Sequence, residues 1–545
     1  MMPRTGNACR RSTLGVALVA LFSMPALPGV AAEPIPAFEA CAATPTPQCV
    51  FGLAADAIAI GTGTDGDQLL AYVERPALLR LAVQTVVGLV EAGAGERAVA
   101  VVRNAASSAE ERAAILLDAA GRAPALARTT AIRPLVEESL HLLDPFAGWP
   151  ALTSASAAER RAALARWLAI VRLCEAAGVH DPALASVGTA RRALATPAFG
   201  GLDEDSRTEL ALAVMRAALA IGDPAMAEDV SAKVSGSAAW SAARVEVAAG
   251  YARQDQTSPA LQLISTFDMA LKQPATVEIF KSFLRRKWPD LARSSLLSLT
   301  APEQARALVE VVPSVAADNL LAVLNVVGSP VQSVARAALV QRLLRDGSYG
   351  QALQQATAIP EPWVRLNALA AVTTESALAG DGATTRDARY WLDSTRWIDV
   401  DPQEYFAAAF ASAFSRVALG DLESSRRDLE TLQARLEAIE QSGTMLAVPQ
   451  GVDLLSLSLD GFRMAAGDEA EVLRPMGSST PALFHQAFAA GTAFGMAGAR
   501  ADDVVAHALA AIGSVEDASL RVGLLLTLGH QMQTHRLVYG FGDSR

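Results

Sequence analysis

Only a few residue groups in this sequence have the types and spacing that chemistry needs. Gly61-Thr-Gly63-Thr-Asp-Gly66 has the glycine spacing of a dinucleotide-binding loop, in which backbone amides approach a pyrophosphate. The stretch before it is short and alanine-rich, and no alternation of strands and helices follows. Asp65-Gly-Asp67 resembles part of a calcium loop, but the remaining ligands of an EF-hand are missing. We therefore expect an interhelical loop here, with neither a nucleotide cofactor nor a bound metal.

The other reactive side chains are scattered. No His-Glu-x-x-His zinc motif, Gly-x-Ser-x-Gly nucleophile elbow or phosphate-binding Walker loop occurs. His530 and His535 are five residues apart, which turns them away from each other on a helix. The sequence therefore predicts a protein that is not an enzyme, with no catalytic residues.

The cysteines have a structural interpretation. Cys41 and Cys49 enclose a proline-rich loop that cannot be helical throughout and that can bring its two ends together. A disulfide is the natural interpretation in an oxidising compartment, since zinc would need two more ligands and no histidine is near. Cys174 lies on the apolar stripe of a predicted helix, so we expect a buried, unreactive thiol.

The N-terminus has the pattern of a secretory signal peptide. Three arginines precede a short apolar run from Leu14 to Phe22, and Val30-Ala31-Ala32 ends a small-residue region. We expect cleavage after Ala32 and a periplasmic or secreted protein that begins at Glu33, with a retained N-terminal anchor as the alternative. No later stretch has the length of a membrane-spanning helix. The net charge of -11 argues against a nucleic-acid partner, which requires a basic surface.

From about residue 76 to residue 545 the dominant pattern is that of amphipathic helices. Apolar residues return at three- and four-residue steps, as in Leu78, Leu81, Ala82, Val86 and Leu89. Helix-start signals recur throughout, for example Ser156-Ala-Ala-Glu159 and Asp223-Pro224. Glycine-containing turns end the helices, and Gly347 and Gly380 lie in two such turns. This pattern predicts an all-α chain of many helices joined by short turns.

The recurrence of helix, turn and helix predicts an α-solenoid, a superhelix of antiparallel helix pairs with irregular repeat length. Each pair would bury its apolar face on the next pair, without a central core. We place an N-terminal segment with the cysteine pair at 33–75 and the helical array at 76–545, with possible breaks near 144–155 and 442–452. Stacking in one dimension predicts an elongated molecule, although a closed ring would be more compact.

One stretch resembles a known repeat family. Leu343-Leu-Arg-Asp-Gly347-Ser-Tyr349-Gly-Gln-Ala352-Leu353 is similar to the turn and second helix of a tetratricopeptide (TPR) repeat, and Ile359 to Val372 resembles the next unit of exported bacterial TPR-like proteins. The full TPR pattern is not sustained, so HEAT-like or irregular helix pairs remain alternatives. The resemblance implies a solenoid that holds a protein or peptide.

The candidate binding residues lie just after this stretch. An aromatic group and one arginine suit a partner-binding groove, and they are Trp363, Arg365, Trp391, Trp397 and Tyr405. Interhelical packing of the aromatic rings is the alternative. A wider row of arginines near predicted helix starts suits either clamps for carboxylates or pairs with neighbouring acids, and it comprises Arg80, Arg112, Arg244, Arg336, Arg365 and Arg521.

These observations predict an exported helical-repeat scaffold that binds a protein or peptide partner. The alternative is an accessory protein or enzyme of cell-wall metabolism, since some exported lytic transglycosylases carry a long helical superhelix. Those enzymes have a separate lysozyme-like domain with a catalytic glutamate, whereas residues 450–545 look like more repeats.

Overall fold

The computed structural model describes residues 36–62, 75–394, 402–442, 459–465 and 479–533, and these residues contain helices and no strand. The helices of the first half are α1 Pro36–Ala43, α2 Pro47–Thr62, α3 Arg75–Glu91, α4 Gly95–Ala105, α5 Ala109–Arg122, α6 Arg133–Leu143, α7 Trp149–Ser154, α8 Ala157–Ala176, α9 His180–Ala193, α10 Pro197–Gly200, α11 Glu204–Ala220, α12 Pro224–Ser231, α13 Ser237–Arg253 and α14 Thr257–Ile264. Those of the second half are α15 Met269–Arg285, α16 Pro289–Leu297, α17 Ala301–Val311, α18 Ala317–Leu324, α19 Ser329–Arg345, α20 Tyr349–Thr357, α21 Pro362–Leu378, α22 Gly382–Ser394, α23 Pro402–Ala418, α24 Leu422–Ser442, α25 Thr480–Ala497, α26 Asp502–Gly513 and α27 Ala518–Gln533. Residues 459–465 are also helical.

Most of these helices form antiparallel pairs in which a longer helix is followed by a shorter one. In the pair α13–α14, for example, short turns reverse the chain and the two helices pack together. Each longer helix also packs on the next longer one, as α13 does on α15 and α21 does on α23. The prediction of an all-α solenoid of antiparallel helix pairs is confirmed.

The turns between paired helices repeat one backbone geometry. Gly347 has a φ of 70°, which glycine adopts without a steric penalty. Its amide donates to the carbonyl of Leu344 at 3.1 Å, and the amide of Ser348 donates to Leu343 at 2.8 Å. These two bonds satisfy carbonyls at the end of the helix, as in a Schellman motif. Equivalent turns contain a residue of positive φ at Gly93, Gly178, Gly222, Asp255, Lys287, Gly380 and Gly420.

The two ends of the array meet. Helix α2 packs on α27 as well as on α3, and α1 packs on α26. The ring of Phe51, fully buried in α2, lies against Gly88 of α3 and Gly529 of α27. The side-chain amide of Gln533 donates to the carbonyl of Gly88 at 3.3 Å. The solenoid is therefore a closed ring.

Closure differs from the elongated superhelix that stacking in one dimension predicts. An open array leaves the apolar faces of its first and last helix pairs exposed to water. Here the N-terminal helices α1 and α2 occupy the position after the last pair, so the apolar face of α27 is covered. Burial of the apolar faces of α2 and α27 against each other favours the closed form.

A series of ion pairs, which we call the interhelix ladder, joins successive helices in the first half of the ring. In each pair a basic side chain on one helix meets a glutamate on a later helix that packs against it. Its members are Arg75–Glu111, Arg112–Glu138, Arg160–Glu209, Arg216–Glu246, Arg253–Glu278 and Lys281–Glu310. The ladder neutralises charge along these helix faces with groups from the chain itself.

Candidate functional site

The predicted binding residues lie in the pair α21–α22 and just beyond it. Trp363 is the second residue of α21 and is 53% exposed, and Trp391, near the end of α22, is 49% exposed. Trp397 lies outside the described residues. Tyr405 belongs to α23, but its side chain is not among those described. The structure therefore places two of the four predicted aromatic side chains, and both are accessible to solvent.

A third aromatic residue belongs to this surface. Tyr390 is 70% exposed, and its ring meets that of Trp391 edge to face with 6.0 Å between the ring centroids. Because α21 and α22 are antiparallel, the start of α21 and the end of α22 lie at the same end of the pair. We call Trp363, Tyr390 and Trp391 the aromatic patch. The sequence signal that would have found Tyr390 is its position next to Trp391.

Arg365 also stabilises the fold. It is half-buried, and its Nη1 donates to the carbonyl of Ile359 at 3.2 Å. Arg521 makes the same six-residue reach, because its Nε donates to the carbonyl of Val515 at 2.9 Å. Carbonyls near a helix end lack partners within the helix, so a guanidinium that reaches back stabilises the turn. Arg365 therefore holds the connection between α20 and α21 beside Trp363.

The wider row of arginines has mostly structural contacts. Arg112 pairs with Glu138 at 2.5 Å, and Nη1 of Arg336 donates to the side-chain oxygen of Gln355 at 2.5 Å. The guanidinium of Arg244 lies over the ring of Trp240, 5.0 Å from its centroid. These contacts match the interpretation of neighbouring pairs and leave these three arginines engaged within the protein.

The remaining chemical candidates do not assemble into a reactive centre. Residues 54–62 belong to helix α2, so the glycine-rich motif at 61–66 follows a helix and not the strand that a dinucleotide site requires. Residues 63–66 lie outside the described part of the chain. Within the described ranges, no three His, Cys, Asp or Glu side chains group in a way that could hold a metal ion.

The cysteines behave as the sequence predicts. Cys41 and Cys49 form a disulfide with their Cα atoms 5.8 Å apart, and it joins the end of α1 to the start of α2. Cys174 is a free, fully buried thiol. Burial raises the pKa of Cys174 to about 12, which removes the thiolate that reactivity requires.

The described helices include none with both the length and the apolar character of a membrane span. The signal peptide expected at 1–32 lies outside the described residues.

Comparisons with known proteins identify no family. No family model matches the chain, and no curated protein matches it in sequence. A solved structure described as a "Circular tandem repeat protein with novel repeat topology and enhanced subunit contact surfaces" is similar over 85% of this chain and 98% of its own, at 15% sequence identity and a TM-score of 0.15. A likeness this distant supports no further conclusion, so the fold described here rests on the helices and their packing.

Proposed function

We propose that this chain is an exported scaffold that binds a protein or peptide partner through the aromatic patch and Arg365. The observation that carries the proposal is the exposure of Trp363, Tyr390 and Trp391 at one end of a single helix pair. Large aromatic side chains are enriched at the centres of protein interfaces, where they bury much area with few rotatable bonds. Helical repeats present such residues on a continuous surface.

Two further observations favour binding over catalysis. The ladder pairs six basic side chains with glutamates, and Cys174 and the histidines within the described residues lie on different helices. The disulfide suits an oxidising compartment, in agreement with the signal-peptide pattern at 1–32. Membership of the TPR-like family is part of this proposal, on the strength of the turn at Gly347 and the helix that starts at Tyr349.

The test compares two tryptophans of similar accessibility at opposite ends of the helix pairs. A partner is captured from an exported-protein extract, identified by mass spectrometry and titrated against the wild type, Trp363→Ala and Trp288→Ala. Trp288, 38% exposed, starts a shorter helix at the opposite end and lies 3.7 Å from the Arg286 guanidinium. We expect Trp363→Ala to weaken binding by about 2 kcal/mol, or roughly thirtyfold in Kd, and Trp288→Ala to leave it unchanged.

Circular dichroism of each variant separates binding from folding. Trp363 is half exposed, so its truncation should leave the thermal transition close to that of the wild type. An unchanged affinity for Trp363→Ala with an intact fold would rule out the aromatic patch as the binding surface. Degradation of peptidoglycan in a zymogram would instead support the cell-wall enzyme.

A further inference from the structure

We infer that the aromatic patch is one end of a longer binding surface along one edge of the ring, and that this surface takes an extended acidic peptide with a large apolar side chain at every third residue. The inference rests on the proposed function and adds the chemistry of the partner to it. It is based on the positions of exposed apolar and basic side chains in the helix pairs from α13–α14 to α21–α22.

The longer helices of these pairs all start at one edge of the ring, which we call the start edge. They run parallel because each is followed by one antiparallel shorter helix, and each packs on the next, from α13 through α15, α17 and α19 to α21. Side-chain contacts join neighbouring starts, and they are Trp240–Phe267, Gln273–Thr300 and Ser329–Glu361. The start edge is therefore one continuous surface from α13 to α21.

Exposed large apolar side chains follow the start edge. Four longer helices each have one within their first six residues, and these are Trp240 in α13, Leu271 in α15, Val334 in α19 and Trp363 in α21. Leu297 ends α16 at the same edge, just before the start of α17, and is 54% exposed. At the opposite edge of these helices, such residues occur only at the start of α16 and the end of α21, and they are Trp288, Leu291 and Leu378. The start edge alone therefore has an apolar side chain at almost every pair.

The charge of the start edge favours an acidic partner. Three basic side chains among these residues have no carboxylate at ion-pairing distance within the described ranges, and they are Arg244, Lys272 and Arg365. Of the acids at the same helix starts, Glu303 pairs with Arg306 at 2.9 Å and Glu361 accepts the hydroxyl of Ser329. Asp268 is the remaining one. In a protein of net charge -11, this edge thus has more unpaired basic than acidic groups, which attracts carboxylates.

The spacing of the helices matches one extended peptide conformation. Packed helices lie about 8–10 Å apart, so the four steps from α13 to α21 span roughly 32–40 Å. A polyproline-II chain has three residues per turn and a rise of about 3.1 Å, which places every third side chain on the same side at intervals of about 9 Å. A peptide of about 12 to 15 residues would therefore set one apolar side chain against each helix start, with acidic side chains between them.

The experiment titrates two labelled peptides against the full chain by fluorescence anisotropy. Each has blocked termini and about five repeats of three residues, leucine, glutamate and proline in one peptide and leucine, lysine and proline in the other. We expect the glutamate peptide to bind with a Kd below about 100 μM, and the lysine peptide to bind at least about tenfold more weakly. Equal binding of the two peptides, or no binding of either, would overturn the inference.

Variants of the protein locate the bound peptide. Leu271→Ser, three helix steps from the aromatic patch, should weaken binding of the glutamate peptide about tenfold, and Trp363→Ala should do the same. Leu291→Ser, at the opposite edge and 49% exposed, is the matched control and should leave binding unchanged. Lys272→Glu should reverse the preference between the two peptides, a result that a misfolded variant cannot give.

The outcomes distinguish this inference from the proposed function. If Trp363→Ala weakens binding and Leu271→Ser does not, the surface ends at the aromatic patch, and the inference is wrong while the proposed function stands. A failure of Trp363→Ala to weaken binding of the captured partner is evidence against the proposed function itself. An unchanged preference in Lys272→Glu contradicts the acidic chemistry. Sedimentation that shows a dimer of the wild type and a monomer of Leu271→Ser would mean that a second copy covers the start edge, which also overturns the inference.

Discussion

Asp255 and Lys287 occupy turn positions where equivalent turns have glycine. Their φ values are 57° and 59°, in a region where residues other than glycine are strained. Asp255 is compensated, because its carboxylate accepts hydrogen bonds from Ser282 and Arg285, each at 2.8 Å. The strain at Lys287 has no such compensation from a side-chain acceptor, since an ammonium only donates.

We therefore expect Lys287→Gly to raise the free energy of unfolding by about 0.5–1 kcal/mol, because relief of strain exceeds the added entropy of the unfolded chain. Asp255→Gly should lower it, because the bonds from Ser282 and Arg285 are lost. Gly347→Ala should lower it by about 1 kcal/mol, since alanine is strained at a φ of 70°. Denaturant unfolding checks all three. A destabilised Lys287→Gly would show that the backbone there is not strained.

His530 of α27, whose ring meets that of Phe51 in α2, should make stability depend on pH. Burial lowers the pKa of His530 to about 4, below its ordinary value of 6.5, because a low-dielectric surrounding disfavours the imidazolium. Between these two values the unfolded chain binds more protons, so stability is full above pH 6.5 and falls as the pH falls towards 4. His530 is only partly buried, so we expect a loss of about 1–2 kcal/mol from this group.

The measurement is denaturant unfolding of the wild type and His530→Gln at pH 7 and pH 4.5. Carboxylates with lowered pKa values, such as Glu111 at about 2 beside Arg75, titrate in both proteins and cancel in the difference. The wild type should lose more stability than the variant over this range. Equal losses would mean that His530 is protonated as readily in the folded state as in the unfolded one.

The residue-scale signals for helix starts were partly predictable. Ser156 and Glu159 form the expected capping box, and Asp223 accepts from the amide of Met226. At α11, Ser206 and Glu209 also have the spacing of a capping box, but Asp203 is the N-cap and accepts from the amide of Ser206. Several polar residues in a row offer competing caps, and the one used depends on where the chain turns, which packing decides.

At the scale of helices, Lys281 is one of the two buried basic residues of the interhelix ladder, the other being Arg160. The ammonium of Lys281 donates to Glu278 at 2.9 Å and also to Glu310 on α17. Loss of one partner leaves the others with uncompensated charge in a region of low dielectric constant. We expect Lys281→Met to lower the free energy of unfolding by about 2 kcal/mol, a value reduced because Glu310 is half exposed.

Arg306→Met is the matched control for this change. Arg306 lies 2.9 Å from Glu303 and 3.7 Å from Glu310, but half of its side chain is exposed. Its loss should cost no more than about 0.5 kcal/mol. Denaturant unfolding at low and high salt distinguishes the two, since the exposed pair is screened more strongly. Equal effects of the two substitutions would show that burial of Lys281 does not strengthen its pairs.

Exposure of the candidate site could be predicted only in part from the sequence. Trp363 and Trp391 are among the residues that the sequence proposes, and about half of each side chain is exposed. The sequence analysis does not include Tyr390, and it does not predict the hydrogen bond from Arg365 to the carbonyl of Ile359. The reason is that the accessible face of a helix depends on how the neighbouring pair crosses it, which periodicity alone does not give.

For the whole molecule, the sequence predicts the repeated helix pair but not the closure of the ring. The turns at Gly347 and Gly380 are where the sequence predicts them, because the glycine that ends a helix is a local signal. Closure depends on the small rotation between successive pairs, summed over the whole array. The glycines that accommodate the Phe51 ring, Gly88 and Gly529, are separated by more than four hundred residues and have no local pattern.

A closed ring transmits a defect between residues that an open array would keep independent. Leu525 is fully buried in α27, a helix that contacts both α2 and α3, and Leu525→Ala should leave a cavity that costs about 2–5 kcal/mol. Because α27 contacts α2 and α3, we expect amide exchange to accelerate in Arg75–Glu91 as well as in the neighbouring α25. Leu339→Ala, an equally buried change in α19, should accelerate exchange in α17 and α21 and leave α3 unchanged. If Leu525→Ala affects α25 but not α3, the ends of the array do not meet in solution and the ring is open.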